Sequence, residues 1–159
     1  MELVGVRVEI PANTPMVLLQ EQDGRHRLLP IYIGSPEAAS IHYALEGVDP
    51  PRPLTHDLFV SVIGKLGASL SKVVVTEVRD HTYYAELHLT VGDDEQIISS
   101  RPSDAIALAV RCEAPLFADD DLMDDVGQVP EPEPEEEAEE IIDEFKDFIE
   151  SVSPDDFAT

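Results

Sequence analysis

Two stretches far apart in the chain open alike: GSPEAASI (34–41) and SRPSDAIAL (100–108) each give a proline, an acid followed by alanine, and then apolar residues at helical spacing. Each also follows three strand-like runs. Ahead of the first, Val4, Val6, Val8 and Ile10 alternate onto one face, and MVLLQEQ (16–22) and RLLPIYIG (27–34) follow, joined through the turn-forming Asp23-Gly24. Ahead of the second come SKVVVTEV (71–78), HTYYAELHLTV (81–91) and EQIIS (95–99), with Tyr84, Glu86 and His88 on the outward face of the middle run. Between the halves, residues 55–66 set Leu58, Phe59, Val62, Ile63 and Leu66 on one helical stripe that stops at Gly67. The pattern predicts an α+β fold of duplicated βββα units, a mainly antiparallel sheet with packed helices. The helix over 102–112 is apolar all round, so it is expected between layers.

Charge divides the chain. Of the net charge of −24, residues 1–118 hold 16 acids against 9 Lys and Arg, whereas 119–159 hold 18 acids against Lys146 alone. Three segments follow: a domain at 1–118, an acidic Pro-rich linker at 119–137, and an amphipathic helix and tail at 138–159, where Ile141, Ile142, Phe145, Phe148, Ile149 and Val152 share a stripe. Such a stripe on a tether needs a surface to cover it. The run DDDLMDD (119–125) lacks the glycine and spacing of a calcium loop and reads as a solvated face.

The composition excludes several classes. Neither segment carries the basic surface of a simple nucleic-acid binder. No run approaches the ~18 uncharged apolar residues of a membrane span, and the N-terminus lacks a signal-peptide pattern. The solitary Cys112 permits no internal disulfide, so a cytoplasmic location is expected.

Chemistry is concentrated at the helix starts. Glu37, Asp57 and Asp104 each fall in a first turn, where any helix favours a carboxylate. Arg52 and Arg101 are unfavourable beside the same helix ends, so each needs a partner, either these acids or an anion from outside. If a pseudo-twofold relates the halves, Glu37, Arg52, His56, Asp57, Arg101, Ser103 and Asp104 converge on one cleft. That cleft would hold an imidazole for proton transfer, carboxylates for a divalent cation and guanidinium groups for phosphate. Zinc spacings, Gly-rich phosphate loops and nucleophile elbows are absent.

LPIYIGSPEAASI, RPLTHDL and SRPSDAIALAVR, in that order, resemble the bifunctional nuclease domain family across roughly residues 1–118. The resemblance implies a self-associating α+β domain with nuclease activity on DNA and RNA. The motif positions fall on Glu37, Arg52, Pro53, Thr55, His56, Asp57, Arg101, Pro102, Ser103, Asp104 and Ala105. The assignment that follows is a metal-assisted phosphodiesterase. His56, Asp57, Asp104 and Glu37 are its catalytic groups, Asp57, Asp104 and Glu37 hold Mg or Mn, and Arg52, Arg101, Thr55 and Ser103 bind substrate. The acidic tail, which replaces a coiled motif of part of the family, is expected to screen the site until a basic protein partner lifts it. The alternative is a non-enzymatic regulatory or interaction module whose tail helix docks on a partner.

Overall fold

The computed structural model describes residues 1–9 and 12–130. The duplicated order is present. Strands β1 (Glu2–Glu9), β2 (Thr14–Gln20) and β3 (Leu28–Tyr32) form an antiparallel meander that leads into α1 (Ser35–Leu45). After α2 (Thr55–Lys65), β4 (Ala68–Arg79), β5 (Thr82–Val91) and β6 (Asp94–Ser100) form a second antiparallel meander that leads into α3 (Pro102–Cys112). The second sheet gains an edge the pattern did not disclose: β7 (Leu116–Ala118) runs parallel to β4.

α3 is the hub. Ala105, Ile106, Ala107, Leu108 and Ala109 are all buried, and the helix packs on α1, α2, β4 and β5 together. Its alanines let α1 approach closely, which carries the first turns of all three helices into one neighbourhood. α2 is different. Of its expected stripe only Ile63 is buried, while Leu58, Phe59, Val62 and Leu66 stay exposed. The helix turns one narrow edge to the core and leaves the rest uncovered. Gly67, at φ +75°, ends α2 as the sequence predicts.

Three details depart from the sequence pattern. A bulge between Leu3 and Gly5 shifts the phase of β1, so Leu3 and Val6 pack on the core and Val4 is exposed. His88 is buried, not outward-facing: β5 is a central strand, and Glu95 from β6 bonds its Nδ1 at 2.9 Å. The acid run at 119–125 is helical over Asp120–Val126 (α4), with Leu122 and Met123 in the core and Asp119 capping through Asp121 N–H. α4 is held by Arg27, which pairs with Asp124 at 2.7 Å and with Glu21 at 2.9 Å. Gln128 then bonds Leu28 through both backbone groups. The compact unit consequently extends to Val129. Residues 131–137 of the expected linker and the expected helix at 138–159 lie outside the described residues.

Candidate functional site

The site begins with two helix starts that bring their polar residues to the same place. α3 opens at Arg101, whose extended backbone precedes Pro102, and Asp104 follows in the first turn. Arg101 folds back onto that turn: Nε lies 2.7 Å from Asp104 Oδ2 and Nη2 3.0 Å from Oδ1. Its Nη1 reaches Glu37 of α1 at 3.1 Å. One guanidinium thus joins the two Pro-led helices. A Cβ at Gly34, the residue ahead of α1, would press on the Glu37 carboxylate, so a side chain there would make that carboxylate shift.

His56, in the first turn of α2, closes the group. Its Nε2 lies 3.1 Å from Asp104 Oδ1 and its Nδ1 2.8 Å from Ser40 Oγ. The tautomer that suits a carboxylate at Nε2 carries its proton there, which leaves Nδ1 to accept from the Ser40 hydroxyl. Hydroxyl, imidazole and carboxylate then form a continuous proton path. Burial works to raise the Asp104 pKa, but hydrogen bonds from Arg101 and His56 outweigh it and hold the carboxyl below its ordinary range. Asp104 in turn raises that of Arg101. Asp104 is therefore ionised and acts as an acceptor.

These side chains border a cavity of about 350 Å³ in which Glu37, Ser40, Tyr43, Thr55, His56, Arg101 and Asp104 meet. Of the residues expected to converge, Glu37, His56, Arg101 and Asp104 line this cavity, and Thr55, expected to bind substrate, lines it too. Asp57, Arg52 and Ser103 do not. Asp57 sits in the same first turn as His56 but points to Arg111, whose Nε is 2.6 Å from its Oδ1, and its other oxygen accepts from Leu54 N–H at 2.8 Å. The Arg111 hydrogen bond pulls the Asp57 carboxyl below its ordinary range. It lines a separate cavity with Pro53, Val60 and Arg111. Arg52 lies exposed on the loop before α2, borders none of these cavities and has no ion-pair partner among the described residues. Ser103 is buried beneath the start of α3, away from the cavity wall.

Two participants were not singled out from sequence. Ser40 is the last residue of the PEAAS run and Arg111 the last of SRPSDAIALAVR, so both lay inside the motifs; the signal was helical spacing, which places Arg111 two turns beyond Asp104. Arg111 also donates to the backbone carbonyls of Ala107 and Ser40, tying α3 to α1 and α2.

The expected metal ligands do not assemble. Among the described residues no three His, Cys, Asp or Glu side chains are placed to hold a metal ion. Asp57 is committed to Arg111, and Glu37 and Asp104 are both bonded to Arg101, so a cation between them would have to expel a guanidinium.

The site of this α+β domain is the meeting point of two Pro-led helix starts, joined through Arg101, with the His56-bearing first turn of α2. Residues 17–131 match the bifunctional nuclease domain, and the chain belongs to that family. It is 43% identical over 160 residues to an uncharacterized protein of Mycobacterium tuberculosis, covering 98% of this chain and 95% of the relative. It is also 34% identical over 115 residues to bifunctional nuclease 2 of rice, Oryza sativa subsp. japonica, and 35% over 103 residues to bifunctional nuclease 2 of Arabidopsis thaliana. Those matches take in 70% and 63% of this chain but 35% and 31% of the plant proteins. The chain spans about a third of the plant relatives' length and nearly all of the mycobacterial one.

Proposed function

We propose that this chain is a nuclease that hydrolyses phosphodiester bonds of DNA and RNA at the cavity between the starts of α1, α2 and α3. The observation that carries the reading is His56, held between Ser40 Oγ and Asp104 at the wall of an open cavity beside Arg101. Family membership and the names of the plant relatives agree with it.

Each residue has a definite part. A guanidinium has five N–H donors, and Asp104 and Glu37 occupy three of those on Arg101, leaving two on a side chain that is 64% exposed. Those two bind a phosphate oxygen. Two carboxylates against one guanidinium leave the cluster short of positive charge, so this contact depends on directed hydrogen bonds more than on net charge. Ser40 Oγ, donating to His56 Nδ1, can accept a proton from a water in the cavity. As that water's oxygen attacks phosphorus and the ester P–O bond breaks, its proton passes through Ser40 to His56; the leaving oxygen takes a proton from solvent. Asp104 stabilises the imidazolium. Arg52, exposed on the loop before α2, is assigned in this reading to a longer strand outside the cavity.

The donor set does not fit a resident Mg or Mn, so no step passes through one. Purified full chain should cleave single-stranded DNA and RNA, and His56→Ala should slow it by about 10²–10⁴, the usual value of a positioned acid-base group. Cleavage should survive a chelator. Activity that vanishes in chelator and returns with Mn would restore the metal to the mechanism, and activity unchanged in His56→Ala would remove His56 from it.

Self-association, expected from the resemblance, has a surface in the uncovered stripe of α2. The acidic tail is proposed to screen the cavity until a basic protein draws it away.

A further inference from the structure

Beside the polar cavity lies a second one of about 390 Å³, and the two share Thr55, His56, Arg101 and Asp104 as a common wall. The far wall is of another kind. Leu108, one turn beyond Asp104 on α3, and Phe59, one turn beyond Thr55 on α2, stand over Leu87 and Ile98, which pair across β5 and β6. Phe59 and Ile98 are 45% and 44% exposed, large apolar groups left to water. At the rim stand Thr55 and Ser99, whose hydroxyls make no hydrogen bond among the described residues.

We propose that this slot binds the nucleobase attached to the phosphate held by Arg101, so that the enzyme acts on an unpaired nucleotide. The proposal rests on the nuclease reading and names its substrate as single-stranded. A nucleotide is polar and anionic at one end and flat and apolar at the other, and the paired cavities have the same division within one side chain's width. A base stacks on Phe59, its faces meet Leu108 and Ile98, and its edge finds the hydroxyls of Thr55 and Ser99. A base inside a duplex presents neither face, so entry requires it to be unstacked. The slot has no charged lining residue apart from those of the shared wall, which suits an uncharged ring. Stacking is indifferent to base identity, and one apolar slot therefore serves DNA and RNA alike.

The test compares ligands with and without the base. Full chain carrying labelled Ile and Leu methyl groups is titrated with adenosine 5′-monophosphate and with ribose 5-phosphate, and cleavage of a single-stranded oligonucleotide is measured in parallel. The nucleotide should shift the Ile98 and Leu108 methyls and bind about tenfold more tightly than the sugar phosphate, a typical value of one stacked base. Phe59→Ala should remove that advantage, and Phe59→Tyr should restore it. Equal binding of the two ligands, or a nucleotide advantage that survives in Phe59→Ala, overturns the slot; continued cleavage in that case leaves the nuclease reading standing. Methyl shifts that depend on protein concentration and not on nucleotide would assign the slot to a second copy of the chain and equally overturn the proposal. A wild-type chain with neither cleavage nor base-dependent binding removes both.

Discussion

Asp57 and Arg111, 54 residues apart in sequence, meet at 2.6 Å and withdraw Asp57 from the cavity that holds Asp104. The two acids occupy matching first turns, yet one braces α2 against α3 and the other lines the cavity. Arg111 is only 10% exposed, so Asp57→Asn leaves a largely buried guanidinium without its carboxylate. A loss on the order of 2 kcal/mol follows, read as a lower urea midpoint, with cleavage kept within a few-fold. Lost cleavage at unchanged stability would return Asp57 to the catalytic group.

The same pair sets an acid limit. A carboxyl whose pKa is depressed on folding contributes stability that is present above its unfolded value, about 3.9, and disappears as pH falls through the folded one. Asp57 and Asp104 are both depressed. Wild-type stability should therefore fall steeply below about pH 4, where Glu21, held down by Arg27, contributes as well, and Asp57→Asn, which lacks one of these three titrating groups, should fall less steeply. Thermal melts across that range measure the difference; parallel slopes would show that the Arg111 contact does not depress Asp57.

Ser40 separates proton relay from mere packing. Ser40→Ala removes the hydroxyl at His56 Nδ1, the relay group of the proposed mechanism, and leaves the Asp104 contact intact. Expected is a fall in kcat of about 10- to 100-fold with KM little changed, because the proposed phosphate contact is assigned to Arg101. A change confined to KM would assign Ser40 to substrate placement.

The fold was legible where one signal sufficed. Strand alternation, the glycine stop at Gly67 and the all-apolar helix at 102–112 are local patterns, and each fixes its element without knowledge of neighbours. The helix starts marked Glu37, His56, Arg101 and Asp104 as candidates, but their meeting rested on an assumed pseudo-twofold that spacing alone does not fix. What stayed hidden depends on a partner distant in sequence. Asp57 and Asp104 look equivalent until Arg111 claims one of them; α4 looks like a solvated acid run until Arg27 and Gln128 hold it to the first sheet; His88 looks outward until β6 covers it. The stripe of α2 has helical spacing but little core to meet, because α3 already occupies that space.

Leu66 is 76% exposed and Leu58 56%, with Val62 between them on α2. A contiguous apolar stripe of this kind is the expected seat of self-association. The full chain should sediment as a dimer or larger, and Leu66→Asp combined with Leu58→Asp should yield a monomer. Exposed positions tolerate the change, so the melting temperature of the monomer unit should hold. A variant that keeps the parent's mass would move the interface elsewhere.

Beyond Val129 the chain carries 13 acids against Lys146, and charge of that sign repels a nucleic acid. Repulsion of this kind is long-ranged only at low ionic strength: the screening length is about 30 Å at 0.01 M salt and about 8 Å at 0.15 M. Removing residues 131–159 leaves every core side chain named here in place. The truncated chain should bind and cut single-stranded DNA faster than the full chain at 0.01 M salt, by about 10-fold or more if steering dominates, and the two should converge near 0.15 M. A polycationic peptide added to the full chain should reproduce the truncation at low salt. Equal rates for the two chains at 0.01 M would show that the tail does not screen the site, and slower cleavage by the truncated chain would make the tail a contributor to catalysis.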